Sequence, residues 1–592
     1  MIKRLIPIAV AIVMIIILGV VGLKTGLIDK YSYSEDTMDM NEYYQLFDTN
    51  QVPIILGDEN IEQKAYSFNG ENYLSLEFVT QYLNSRFYYD ESQAMVLFTT
   101  PTELYQIPIS TEGEISTSYT VNGENRTNDV AIATLYQDEI YLALSYVQQF
   151  ANFSYTCFEE PTRIQIYLES DSVATATIKK NTALRYQGGV KSDVVANLSK
   201  DDTVYVLEKM DTWTKVKTQD SYIGYVENKR LKESDETIER TVEQTYVEPE
   251  YTSIHKDFKI NMAWHQVTNV DANAGVDKYL ENTQGINVIS PTWFYLASDE
   301  GAIVSLASED YVTNMHNRGI EVWALVDDFT GQDASSSTAL KSLSVRTSII
   351  SQLIQSALEY NIDGINVDFE KITADAGKDF VEFIRELSIE CRKNGIVLSI
   401  DNYVPQGGTD YYDRKEQGTV ADYVVIMGYD EHYSGSDVAG SVASINYVEQ
   451  GIIDTLAQAP AQKVINGVPF YTRLWDVTGE VSSEAMGMQS AKDFLSKNNV
   501  EAVWDDETCQ HYAEFRADAK DYQIWLEDAE SLRTKLNVMA QYDLAGVAEW
   551  KLGFETSDVW NVIGEYLSGN SATSAVSTEV EEVDVTEEIL EE

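Results

Sequence analysis

The pattern of apolar and polar positions changes character several times along the chain. Leu5–Leu23 is an unbroken apolar run, close to the roughly 20 residues that cross a bilayer core. Lys3 and Arg4 precede it, and positive residues favour the cytoplasmic side. The pattern therefore predicts a membrane anchor over 1–30, uncleaved because no small-x-small site follows; a cleaved export signal is the alternative. Residues 31–51 are polar and acidic, a candidate stalk. From 52 to 170 the pattern becomes short alternating segments separated by turn signals such as Asn69-Gly70 and Asn122-Gly123. This stretch holds a repeat. Tyr73-Leu-Ser-Leu-Glu-Phe-Val79 returns as Tyr141-Leu-Ala-Leu-Ser-Tyr-Val147, each half reading as a helix that leads into a strand. Residues 172–232 form a run of short strands, and 233–252 is a glutamate-rich stretch without apolar periodicity, predicting a linker. The tail, 569–592, is acidic and almost without aromatics, a composition of disordered segments.

Between linker and tail, over 253–568, strand and helix patterns alternate with the rhythm of an eight-fold β/α barrel. The predicted strands are Lys259–Trp264, Gly285–Trp293, Glu321–Asp327, Gly364–Glu370, Ile396–Asp401, Tyr423–Tyr429, Lys463–Tyr471 and Gly546–Trp550. Gly479–Asn537 is too long for a plain crossover and predicts a small α+β insertion. The chain thus reads as multi-domain: an α+β repeat domain, a small all-β barrel and an α/β (β/α)8 TIM barrel.

Charge narrows the partners. With 96 Asp and Glu against 42 Lys and Arg, the net charge is −54, which excludes nucleic acid as a partner for want of basic clusters. Three widely spaced cysteines, Cys157, Cys391 and Cys509, make neither a disulfide framework nor a metal cluster. His265 and His432 lack a third ligand at metal-binding spacing, so no metal and no cofactor are expected.

The chemistry gathers in Asp363-Gly-Ile-Asn-Val-Asp-Phe-Glu370. As a strand, it places Asn366, Asp368 and Glu370 on one face, about 6.6 Å apart along the chain. Unpaired buried acids cost several kcal/mol each, so a covered strand that carries them marks a site. Barrel strands end on a common face, where Trp264, Trp293, Asp327, Glu370, Asp401, Tyr429, Asp430, Tyr471 and Trp550 are expected to converge. Aromatic walls with a few carboxyl groups suit a carbohydrate.

The same octapeptide resembles the DxxDxDxE signature of glycoside hydrolase family 18, the chitinases and endo-β-N-acetylglucosaminidases. Met427-Gly-Tyr429-Asp430 resembles the family's MxYD motif on the sixth strand, and Trp550 stands where the family keeps a tryptophan on the eighth. Tyr429-Asp-Glu-His-Tyr433, Pro291-Thr-Trp-Phe294 and Trp525-Leu-Glu-Asp528 are similar to the bacterial spore-cortex and germination-type members. The resemblance implies hydrolysis of β-1,4 linkages in N-acetylglucosamine glycans, peptidoglycan rather than chitin, through the substrate-assisted route that sets this family apart. It assigns proton transfer to Glu370, the acetamido contact to Asp368, a hydroxyl donor to Tyr429 and a sugar platform to Trp550. Trp293, Met427, Asp327, Asp401 and Tyr471 are further candidates for substrate contact. Asp430 and Asp363 would support the site, Asp363 by holding the strand's start. Asn366 departs from the family's middle aspartate and cannot share a proton with Asp368. A non-catalytic glycan-binding protein on the same barrel is the competing class.

The 52–170 repeat resembles the copper amine oxidase N-terminal-like domain, though with no histidine cluster it implies no copper. Thr182-Ala-Leu-Arg185, Trp213-Thr-Lys-Val216 and Gly224-Tyr-Val226 resemble a bacterial SH3-like domain, which implies wall binding or a spacer role.

Overall fold

The computed structural model describes residues 2–24, 32–111 and 115–569. They divide into two compact units, one holding most of the chain to residue 249 and one most of the chain from 250 on. The first helix covers Ile2–Lys24. Among the described residues no helix is long and apolar enough to cross a membrane, so the expected anchor, and membrane attachment with it, finds no support. Residues 25–30 of that segment, and the acidic tail from 570, lie outside the described residues.

In the first unit the two copies of the repeat meet. Strands Glu71–Ser75 and Glu139–Ala143 pair antiparallel, with Leu74 opposite Leu142, inside a twelve-stranded sheet. Each runs into a short helix, Leu76–Phe78 or Leu144–Val147. The order in each half is therefore strand, helix, strand, because Tyr73 pairs with Ala143 and Tyr141 with Ser75 across the sheet before the chain turns. A second sheet of seven strands covers 171–240.

Two boundaries move. Residues 32–50 are no free stalk. Met38 N–H donates to Val194 O at 2.9 Å, and Tyr43 and Tyr44 are buried, with the Tyr43 hydroxyl on Ile223 O at 2.8 Å. Two tyrosines in a five-residue helix, Met40–Tyr44, capped by Asp39, bury enough apolar area to hold the segment down. The linker begins as a strand, Leu231–Arg240, paired antiparallel with Asp171–Ile178. Its charged side chains suit a sheet edge, where they discourage further pairing.

The second unit is a closed barrel of eight parallel strands: β1 (Ile260–His265), β2 (Val288–Leu296), β3 (Glu321–Asp327), β4 (Gly364–Asp368), β5 (Val397–Tyr403), β6 (Tyr423–Met427), β7 (Val464–Pro469) and β8 (Gly546–Trp550). β1 pairs with both β8 and β2, which closes the ring. The insertion is a five-stranded antiparallel sheet between Tyr471 and Leu526 with helix Met488–Lys497 packed on it.

Candidate active site

β4 ends at Asp368, and the chain leaves the sheet before Glu370. Asn366 and Asp368 face the barrel interior, as the two-residue period requires, and Glu370 follows them at the mouth. Asp327 lies beside Asp368 in register, and Ser399 beside Asn366.

Glu370 is placed by two residues that the motif does not contain. Asp328, fully buried, accepts from Glu370 N–H at 2.8 Å and from Lys371 N–H at 3.0 Å. The Tyr403 hydroxyl, at the end of β5, bonds Glu370 Oε2 at 2.6 Å. Both had a signal in the sequence: Asp328 doubles the acid at the end of β3, and Tyr403 shares the face of Asp401 two positions on. Burial raises the Glu370 carboxyl above its ordinary range. The Tyr403 bond opposes this, and Asp328 and Asp430 add to it.

Asp368 is buried, its Oδ1 without a hydrogen-bond partner. Burial raises it well above the usual carboxylate range, and the charges of Glu370 and Asp401 push the same way. Asn366 is bonded on both sides, to Trp264 and Ser290 through its oxygen and to Ser399 and Asp401 through its nitrogen. Tyr429 is buried against Trp264 and Tyr471, with ring centroids 6.5 and 6.3 Å apart. Gly467 on β7 makes room for it, since a Cβ there would come within 3.1 Å of the Tyr429 ring. The Tyr471 hydroxyl donates to Asp430 Oδ1, so this tyrosine holds Asp430. Trp550, half-buried, meets Trp264 edge-on at 6.1 Å.

Other candidates fall elsewhere. Trp293 is fully buried outside the barrel's interior, its Nε1–H donating to Asn273 Oδ1 at 2.8 Å and its ring against Tyr311 at 5.0 Å. It is no stacking platform. Ser290 reaches Asn366 inside the barrel, and Trp293, three positions on, therefore lies on the opposite face of β2. Asp327 turns its carboxylate to the loop after β3, accepting from Thr330 N–H at 2.7 Å, Phe329 N–H at 3.1 Å and the Thr330 hydroxyl at 2.9 Å. Asp363 sits at the opposite end of β4, accepting from Val322 N–H at 2.8 Å and paired with His316 at 2.7 Å. Met427 is buried in the barrel core. His265 bonds Tyr311 and His432 bonds Ser441 O; no group of three or more metal-ligating side chains occurs among the described residues.

The arrangement supplies a carboxyl raised by burial at a mouth walled by aromatic rings, with a second raised carboxyl behind it. Residues 310–555 match the profile of Glycosyl hydrolases family 18. The chain is 28% identical over 280 residues to an uncharacterized glycosylase, YvbX, of Bacillus subtilis, covering 44% of this chain and 80% of that one. It is 25% identical over 240 residues to the cortical fragment-lytic enzyme of Bacillus anthracis, covering 39% of this chain and 55% of the relative. Among solved structures, the chitinase of Chromobacterium violaceum aligns with a TM-score of 0.48 at 22% identity, over 52% of this chain and 99% of its own. Taken with the closed barrel and the carboxyl groups at its mouth, the family and sequence matches make this chain a glycoside hydrolase.

Proposed function

We propose that the enzyme cleaves β-1,4 linkages of N-acetylglucosamine-containing glycans, peptidoglycan rather than chitin, with retention and with help from the substrate's own acetamido group. The observation that carries this reading is the unpartnered Asp368 Oδ1 behind Glu370. A buried carboxyl oxygen without a partner is costly, and a substrate N–H at that point would satisfy it. Glu370, its pKa raised by burial, gives its proton to the glycosidic oxygen. The acetamido oxygen attacks the anomeric carbon as that bond breaks, and a cyclic oxazolinium ion forms. Asp368 takes the acetamido N–H and balances its charge, while the Tyr429 hydroxyl donates to the acetamido oxygen. Water, deprotonated by Glu370, then opens the ring. Trp550 lies under the sugar.

The preference for peptidoglycan draws on the cortical fragment-lytic relatives. We also place the activity outside the cytoplasm, because Leu5–Leu23 follows a short basic start, with the N-terminal unit as an accessory to wall binding.

The test uses the full chain beside Glu370→Gln, each incubated with purified peptidoglycan and with chitin oligosaccharides. New N-acetylglucosamine reducing ends, identified by mass spectrometry, are expected from the wild type with peptidoglycan, and a drop of roughly 10² to 10⁴ in rate from the variant. Binding without products from either substrate would replace the proposal with a glycan-binding role.

A further inference from the structure

The mouth of the barrel is acidic. Asp327, Asp328, Asp368, Glu370, Asp401 and Asp430 lie close enough there for their charges to act on one another. In the three positions that follow each strand, the only Lys or Arg residues are Lys371 after β4 and Lys551 after β8. Lys551 is committed. It is half-buried, its Nζ donates to Gln266 Oε1, and it sits 4.4 Å from the centre of the Phe554 ring. Lys371 is exposed, and among the described residues its Nζ meets only Phe329 O, at 3.4 Å.

The backbone beneath Lys371 is fixed. Asp328 accepts from Lys371 N–H at 3.0 Å, and the adjacent Asp327 accepts from Phe329 N–H at 3.1 Å. The two acids thus bring an exposed ring, Phe329 at 37%, and an ammonium to one rim, between β3 and β4. The chain has 96 acidic residues against 42 basic ones. An ammonium near six carboxyl groups that pairs with none of them is open to a charge from outside.

Glu370 gives its proton to the oxygen that joins two sugars, so the second sugar lies against the residues next to it. In peptidoglycan, alternate sugars carry a lactyl ether that ends in a carboxylate or in a peptide with carboxylates of its own. Chitin is neutral throughout. A net charge of −54 repels an anionic strand at long range, so attraction for it has to be local. We infer that Lys371 is a specificity-determining residue whose ammonium takes a carboxylate on the sugar next to the scissile bond, favouring peptidoglycan over chitin. Both glycans offer the acetamido group that Asp368, Tyr429 and Trp550 would read alike, and charge separates them. The inference rests on the reading of Glu370 as the proton donor and deepens it.

The experiment measures kcat and KM for the wild type, Lys371→Met and Lys371→Arg, with a thermal melt for each. Three soluble substrates are compared: peptidoglycan fragments, the same fragments with their carboxyl groups converted to methyl amides, and chitin oligosaccharides. The wild type is expected to prefer native over amidated fragments about fivefold in kcat/KM, the upper end for an exposed ion pair, mainly through KM. Added salt should shrink that preference. Lys371→Met keeps the length of the side chain without its charge and should lose the preference, while Lys371→Arg keeps it. Lys371→Gln serves if the Met variant melts early. A neutral variant that still distinguishes native from amidated fragments would overturn the inference. So would an equal loss on all three substrates, which would make Lys371 part of the turn that presents Glu370. A wild type that cleaves no glycan strikes instead at the proposed function. Calorimetric binding of the same fragments to Glu370→Gln, with and without Lys371→Met, then decides the role of Lys371 without turnover.

Discussion

The backbone N–H of Glu370 donates to Asp328 Oδ1 at 2.8 Å, so an acid from the neighbouring strand holds the turn that presents the proton donor. The same carboxylate takes Lys371 N–H and, through Oδ2, the Ser336 hydroxyl. Glu370 lies past the last ladder pairing of β4, and without Asp328 the two N–H groups would be left unmatched. Asp328→Ala is expected to cost about 2 kcal/mol of stability, the scale of charge-assisted bonds. It should also lower kcat roughly 100-fold through misplacement of the carboxyl. Denaturant unfolding and steady-state kinetics check the two effects separately.

Tyr403 bears on the protonation of Glu370. Its hydroxyl, at 2.6 Å, favours the ionised carboxylate and so holds the group below where burial alone would put it. Removing the bond in Tyr403→Phe raises the Glu370 pKa. The enzyme then keeps its proton to higher pH, and the basic limb of the kcat profile should move upward. A limb that moves downward would show that the hydroxyl serves the protonated form.

The two tryptophans assigned to sugar contact in the sequence should separate cleanly. Trp550→Ala removes a half-buried ring from the mouth and is expected to raise KM roughly tenfold, the scale of one aromatic contact. Trp293→Phe loses the bond to Asn273 behind the barrel wall. It should cost about 1 kcal/mol of stability and leave KM where it was. Kinetics and thermal melts on the pair decide it.

His265 gives the fold a dependence on acid. It is buried, with Nδ1 on the Tyr311 hydroxyl at 3.0 Å, and burial lowers its pKa to about 4, helped by the charge of Lys551. The unfolded chain takes up this proton near pH 6.5 and the folded one only near 4. Stability from this group is therefore whole above about pH 6.5 and is lost as pH falls toward 4, a change of about 3 kcal/mol. His265→Gln should flatten that part of the stability curve, read from urea midpoints across the range.

Much of the barrel was legible, for a physical reason. Buried parallel strands are short apolar runs between amphipathic helices, and all eight predicted strands overlap those found, Glu321–Asp327 and Gly546–Trp550 end to end. The alternation in 363–370 put Asn366 and Asp368 on one face without any tertiary knowledge. The boundaries of 31–51 and 233–252 were misleading because their charge resembles that of free segments. What orders them is two buried tyrosines in one case and a partner strand in the other.

The sequence by itself determined the rhythm of strands and helices, the acidic ladder on β4 and the position of Glu370 at its end, since each is set by local spacing along one strand. Only the tertiary structure decided which residues serve that ladder. Asp328, Tyr403 and Asp401 come from strands on either side of β4, and their hydrogen bonds cross 33 to 42 positions of sequence. Trp293 was lost to the outer face of β2 by the parity of its strand against Ser290. Local patterns could place these residues near the mouth but not pair them with Glu370 and Asn366, because that information resides in the register between strands, which forms only when the barrel closes.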